Sequence, residues 1–245
     1  MDELQLGWQG QLELEVLADE IPALPFRPDG AAAAHVATPQ ASLYRRAWVL
    51  LVLHHAEQFG RTPISKPDLH ALTYLTNVLA PVFDVLAPDR AVMKSPAAPF
   101  FPAVQWDIDR LVVWGFVDLV SAGDGVSIGS PSYGCALRGR DLALRLRTIP
   151  RLRAAEPFIA EVMEAFALGE IETSGLARVD ATYGVAVPGG TVIDYGEWDP
   201  ASTFNFSLRT TEAFGATAGQ TRDFSPRDRV HLYMRYLARV ARKAS

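Results

Sequence analysis

Apolar residues recur with the spacing of an α-helix in three stretches of the first half of the chain. The pattern predicts helices over residues 41–59 and 103–114, each with one buried stripe and each followed by a glycine. The remaining helix is predicted after Ser65, which is a favourable N-cap, and Pro67 fits its first turn because no amide hydrogen is needed there. Four prolines within residues 88–102 predict an irregular loop before the third helix.

The residues after the third helix have the pattern of a β-hairpin. Residues 116–128 are rich in β-branched and aromatic residues, and the turn over 122–125 contains glycines that tolerate positive φ. A further short strand over 133–137 leads into an arginine-rich helix after Gly139. Three helices, a hairpin and another helix follow each other in this order in a winged helix domain. We therefore predict an α+β, mainly α chain with a winged helix-turn-helix core over residues 41–150.

The two flanks of this core differ in character. Residues 1–40 contain seven acidic residues against one arginine, and prolines and an alanine run close the segment, which predicts an acidic N-terminal arm and linker. Such an arm suits contact with protein better than contact with DNA. Residues 151–245 are predicted to form a helical, partly irregular C-terminal extension. Its predicted elements are helices over 154–168 and 171–183, short strands over 191–195 and 203–208, and a last helix opened by Ser225 and Pro226.

Composition narrows the classes of protein. The 245 residues are 49% hydrophobic and 21% charged, which excludes wholesale disorder and fits one or two packed domains. A single cysteine, Cys135, cannot form an internal disulfide and is expected to be a small buried thiol. The chain has no apolar run of about 18 residues and begins with acidic rather than basic residues, so we expect a cytoplasmic protein without membrane contact.

Two arginine-rich segments are the candidate surfaces for nucleic acid or a partner. The net charge is only -5, so any contact with nucleic acid requires a local basic patch. Residues 138–153 hold six arginines against one aspartate, and the last 25 residues hold seven basic against two acidic residues. Such arginines either neutralise phosphates or pair with the acidic arm or a partner chain. The candidate residues are Arg138, Arg140, Arg145, Arg147, Arg151, Arg153, Arg235, Arg239 and Arg242.

The third predicted helix argues against sequence-specific DNA reading. In a DNA-reading winged helix, this helix enters the major groove and presents Arg, Lys, Asn, Gln or Ser to the bases. Here it offers Gln105 and Arg110 together with two acidic residues, Asp107 and Asp109, which we expect to face water with Arg110. Two carboxylates would then face phosphates, and this favours a protein partner.

Motifs for catalysis or cofactor binding are lacking in the sequence. His54 and His55 are adjacent on a helix, point about 100° apart and are predicted to be a core or surface pair. The sequence has no phosphate-binding Gly-rich loop and no Gly-x-Ser-x-Gly elbow. We therefore predict no catalytic residue, no cofactor and no metal ligand. A metal-dependent enzyme that uses Asp194, Glu197 and Asp199 is kept as a minor alternative, since these acids lack the spacing of a calcium loop.

Residues 41–170 resemble a family of accessory subunits. The resemblance is carried by a helix pair and four short motifs: Phe100-Phe101-Pro102, Asp109-Arg110-Leu111, Gly115-Phe116-Val117 and the strand exit from Tyr133 to Gly139. Over this range the chain is similar to the middle components of bacterial three-component conflict systems, including Lamassu-type anti-phage defence. The resemblance implies a non-catalytic adaptor beside an ABC or SMC-like ATPase and an effector, with the chemistry in those partners. The alternative is a DNA-binding transcription regulator or antitoxin.

Overall fold

The chain folds into eight helices and five short strands over the residues that the structure describes. A computed structural model describes residues 39–96, 98–120, 131–168, 173–184, 187–196, 205–218 and 224–244. The helices are α1 (Pro39–Gln58), α2 (Lys66–Leu79), α3 (Pro102–Val113), α4 (Leu137–Leu146), α5 (Pro150–Ala167), α6 (Thr173–Val179), α7 (Phe206–Ala218) and α8 (Pro226–Ala244). The strands are β1 (Ile64–Ser65), β2 (Ala91–Met93), β3 (Val117–Val120), β4 (Ser132–Cys135) and β5 (Val192–Asp194), and a 3₁₀ turn (Ala80–Phe83) extends α2.

Helix α1 lies at the centre of the fold. Every residue from Tyr44 to Ala56 is buried, because α2, α3, α4, α5 and β4 surround the helix. The prediction of a single buried stripe on this helix is wrong. Its continuous apolar run over residues 47–53 is the pattern of a helix buried on all sides.

A three-stranded antiparallel sheet closes one side of α1. Its strand order is β1-β4-β3, with Tyr133 of β4 between Ile64 and Leu119. The return strand predicted over residues 126–128 lies outside the described residues, and the strand that pairs with β3 is β4 at 132–135. Helix α4 begins at Leu137, two residues before the predicted start at Gly139.

Polar caps explain where two other helices begin. The amide of Asp68 donates to Ser65 Oγ (3.3 Å) at the start of α2, as predicted. Near residue 205 the prediction of a strand over 203–208 is wrong, because α7 starts at Phe206. The side chain of Asn205 accepts a hydrogen bond from the amide of Leu208 (2.9 Å) and so satisfies a free donor of the first turn.

Segments distant in sequence meet in a second, two-stranded sheet. Strand β2 pairs with β5 in antiparallel register, with Val92 opposite Ile193. The prediction of an irregular loop over residues 88–102 is therefore wrong in part. This region contains β2, whose partner strand is about 100 residues away in the sequence. The strand predicted over 191–195 is confirmed as β5.

One hydrophobic cluster joins the N-terminal and C-terminal helices. It extends from Tyr44 to Ala241 and crosses the predicted boundary at residue 150, since α5 packs on α1 and α8 packs on α5. The mainly helical α+β class is confirmed, while the division into a core and an extension stays a prediction. Residues 1–38 of the predicted acidic arm and linker lie outside the described residues, and residues 39 and 40 begin α1. No helix in the described ranges is long and apolar enough to cross a bilayer.

Candidate partner-binding surface

The outer face of α3 exposes two large apolar side chains. Trp106 is 70% exposed and Val113 is 83% exposed. Positions seven apart lie on the same side of an α-helix, so both side chains belong to one face. Asp109 and Arg110 lie between them and are exposed, as predicted. The four residues form a mixed face with apolar ends, which we call the α3 outer face.

Asp107 lies on the opposite side of the same helix and is buried. The prediction that it faces water is wrong, because only 1% of the residue is exposed. Arg45 Nε donates to one carboxylate oxygen (2.6 Å) and Arg46 Nε to the other (2.8 Å), and Ser42 Oγ adds a third hydrogen bond (3.1 Å). These contacts fix α3 on the N-terminal half of α1 and remove one carboxylate from the surface.

The side chain of Gln105 also forms hydrogen bonds to other residues of the chain. Its amide nitrogen donates to Tyr133 OH (3.2 Å) and to Asp109 Oδ1 (2.7 Å), and its oxygen accepts from His70 Nε2 (3.1 Å). The other ring nitrogen of His70 accepts from the amide of Phe101 (3.3 Å), so the ring is neutral. Burial lowers the pKa of His70 to about 4. Gln105 therefore links α2, α3 and β4. Its side-chain amide already forms hydrogen bonds within the chain and would have to break them to bind a DNA base.

Most candidate arginines around α4 bind groups of the chain itself. Arg140 forms a two-bond ion pair with Glu57 (2.5 and 2.8 Å), and Arg147 Nη2 lies 2.9 Å from Glu156. Arg145 is exposed. The other contacts are Arg138 with the Trp114 carbonyl and the Phe116 ring, Arg151 with the Tyr44 ring, and Arg153 with the Thr148 carbonyl.

The second arginine set lies on α8. Arg235 and Arg239 are exposed on α8, and Arg242 Nε donates to the Ala238 carbonyl (3.3 Å). Helix α8 packs on α5, α6 and α7, whereas α4 packs on α1. Arg151 and Arg153 of the first set lie on α5, which packs on α8, so the two arginine sets are connected through α5.

The adjacent histidines are a core pair. His54 and His55 are buried, with ring centroids 5.4 Å apart. Gln58 bonds to both rings (2.8 Å to His55 Nδ1 and 3.1 Å to His54 Nε2), and burial lowers the pKa of each. The thiol of Cys135 is also buried, and burial raises its pKa to about 12, so it is an unreactive thiol.

A fully buried carboxylate, missed by sequence reasoning, joins four segments. Asp180 accepts hydrogen bonds from Tyr74 OH (2.5 Å), Tyr233 OH (2.6 Å) and Ser207 Oγ (2.8 and 2.9 Å). The backbone amides of Thr182 and Tyr183 also donate to the Asp180 carboxylate. Burial, and then the Asp180 charge, raises the pKa of both tyrosines. The carboxylate is 0% exposed, so its role is to hold the helices together.

The residues that could bind a metal ion are not those of the acidic cluster considered in the sequence analysis. Asp194 is described and accepts a hydrogen bond from the amide of Gly196 (2.9 Å), while Glu197 and Asp199 lie outside the described residues. The group that the described part of the chain brings together is Glu161, Glu164 and His231. Its members come from α5 and α8, and no local spacing in the sequence links them.

Comparison with known proteins gives no family to which this surface can be assigned. No protein-family model matches the chain, and no curated protein is significantly similar to it in sequence.

Proposed function

We propose that residues 41–150 form a winged helix that acts as an adaptor and binds a protein partner through the α3 outer face. The order α1-β1-α2-β2-α3-β3-β4 supports the winged-helix assignment, because β1, β4 and β3 form one sheet with β4 in the middle, while β2 pairs with β5 in a separate sheet. The observation that carries the function is the exposure of Trp106 and Val113 on the face where a DNA reader would present hydrogen-bonding side chains.

The chemistry of this face suits protein. Tryptophan and arginine are the residues that most often dominate the binding energy of protein interfaces, and Trp106 and Arg110 lie one turn apart. Val113 extends the apolar area along the helix. For DNA the same face offers one cation, Arg110, beside the carboxylate of Asp109, which would repel phosphate.

The resemblance of residues 41–170 extends the proposal to the kind of complex. The partner is an ABC or SMC-like ATPase accompanied by an effector, in a bacterial anti-phage defence system of the cytoplasm. The adaptor itself is non-catalytic, and its task is to bring the two partners together.

Affinity purification of the natively expressed chain tests the proposal. We expect products of neighbouring genes, including an ATPase, to co-purify with it. Trp106→Ala should weaken partner binding by at least about 30-fold if Trp106 is a hot spot. Leu168→Ala is the matched control, since this side chain, directly after the last residue of α5, is 65% exposed and lies outside the α3 outer face. Recovery of the chain alone, or equal binding by wild type and Trp106→Ala, would refute the proposal.

A second candidate is a DNA-binding regulator or antitoxin, favoured by the exposure of Arg145, Arg235 and Arg239. Its test is a salt titration of duplex binding. The logarithm of the binding constant should fall linearly with the logarithm of the salt concentration, and each lost phosphate contact should make that slope shallower by about one. Arg145→Glu is the cleanest variant, because reversal at Arg147 would also break the ion pair with Glu156. A slope unchanged by Arg145→Glu, or no binding at low salt, removes this candidate.

A further inference from the structure

Three metal-ligand side chains meet between α5 and α8. Glu161 and Glu164 are three residues apart on α5, so they lie on one face of that helix. His231 of α8 faces them, with its Nε2 3.1 Å from Glu161 Oε2. One ligand atom from each of the three side chains lies within 4.8 Å of the other two. A surface groove runs along this junction, and Glu164 and His231 form part of its wall.

Both carboxylates already hold a cation. Arg227 Nε lies 2.9 Å from Glu161, and Arg227 Nη2 lies 3.0 Å from Glu164. The side chain of Arg227 is 55% exposed. It can therefore move into water without leaving a buried charge, and exposed ion pairs of this kind contribute little. A stronger cation could displace it from the same oxygens.

We propose that Glu161, Glu164 and His231 form a binding site for a divalent transition-metal ion of the zinc class. Imidazole nitrogen together with carboxylate oxygen suits Zn²⁺, whereas Mg²⁺ prefers oxygen ligands alone. The three protein ligands leave a further coordination position open toward the groove. The bound ion would link α8 to α5, and so join the C-terminal helix to the helix that packs on α1.

Zinc titration of the untagged full-length chain by calorimetry tests the site. We expect one Zn²⁺ per chain, no comparable binding of Mg²⁺, and a rise in melting temperature with Zn²⁺ concentration. Glu164→Gln and His231→Gln should each weaken Zn²⁺ binding by at least about tenfold. Glu212→Gln on α7 is the matched control, because it removes an exposed carboxylate elsewhere and should leave the affinity unchanged.

Arg227→Gln makes the test independent of folding defects. Removal of the competing cation should tighten Zn²⁺ binding by about tenfold, a gain that a misfolded variant would not produce. The proposal is overturned if the wild type binds no Zn²⁺, if the two ligand variants bind it as tightly as the wild type, or if Arg227→Gln leaves the affinity unchanged.

Discussion

The replacement Asp107→Asn tests whether the buried ion cluster of Asp107, Arg45 and Arg46, which fixes α3 on α1, stabilises the folded chain. The side chain of Asp107 is 2% exposed, and those of Arg45 and Arg46 are 8% and 9% exposed. Water therefore cannot replace the lost carboxylate charge. Loss of one partner from a buried ion pair costs about 3–5 kcal/mol, because the other charge is left uncompensated. Arg45 keeps only a longer contact to Asp89 (3.4 Å), and Arg46 keeps Ser42 and the Trp114 ring.

Urea denaturation at pH 7, followed by circular dichroism, measures this cost. We expect Asp107→Asn to lower the free energy of unfolding by about 3–5 kcal/mol. The control Asp109→Asn removes an exposed carboxylate from the same helix and should change the free energy by no more than about 0.5 kcal/mol. A loss below about 1 kcal/mol for Asp107→Asn, or equal losses for the two variants, would refute the reasoning.

The remaining predictions concern packing, pH and the buried carboxylate. Gly139→Ala should cost about 3 kcal/mol or more in urea denaturation, because its Cβ would collide with a backbone carbonyl, whereas Gly134→Ala enters open space and should cost less than about 1 kcal/mol. The pKa of His70 is about 4 in the folded chain against 6.5 unfolded, so stability is complete above pH 6.5 and falls by about 3 kcal/mol toward pH 4. His70→Gln should flatten this pH profile, and an unchanged profile would contradict the assignment. Tyr233→Phe should lower stability by about 1–3 kcal/mol in thermal unfolding by removing a donor from Asp180, and an unchanged melting temperature would show that this bond contributes nothing.

Local signals in the sequence predicted the helices around the sheet. Ser65 and Pro67 mark the start of α2 because their effect on a first turn needs no distant partner. Gly115 follows α3 with a φ of 69°, a conformation that glycine adopts without strain, and its amide bonds to the carbonyl of Val112. Such signals are readable because the interacting atoms lie within four residues of each other.

Features that depend on distant partners could not be predicted in this way. A polar residue on a helix suggests a solvent-facing side, but Asp107 is buried because two arginines of α1 neutralise it. The strand over 91–93 exists because residues 192–194 pair with it. The carboxylate of Asp180 likewise finds its donors on α2, α7 and α8, which no spacing within the sequence brings together.

Ion pairs within the chain also bear on the choice between the α3 outer face and the arginines near α4 as the binding surface. Counts of charge along the sequence treat every arginine as available to a ligand, but Arg140 and Arg147 are bound to Glu57 and Glu156. Phosphate could recruit either arginine only by breaking its ion pair and leaving a carboxylate beside the ligand, which opposes the gain from counterion release. A partner that buries Trp106 breaks no internal contact of this kind and removes a large apolar surface from water. The energetic balance therefore favours protein binding at the α3 outer face over DNA binding by Arg140 and Arg147.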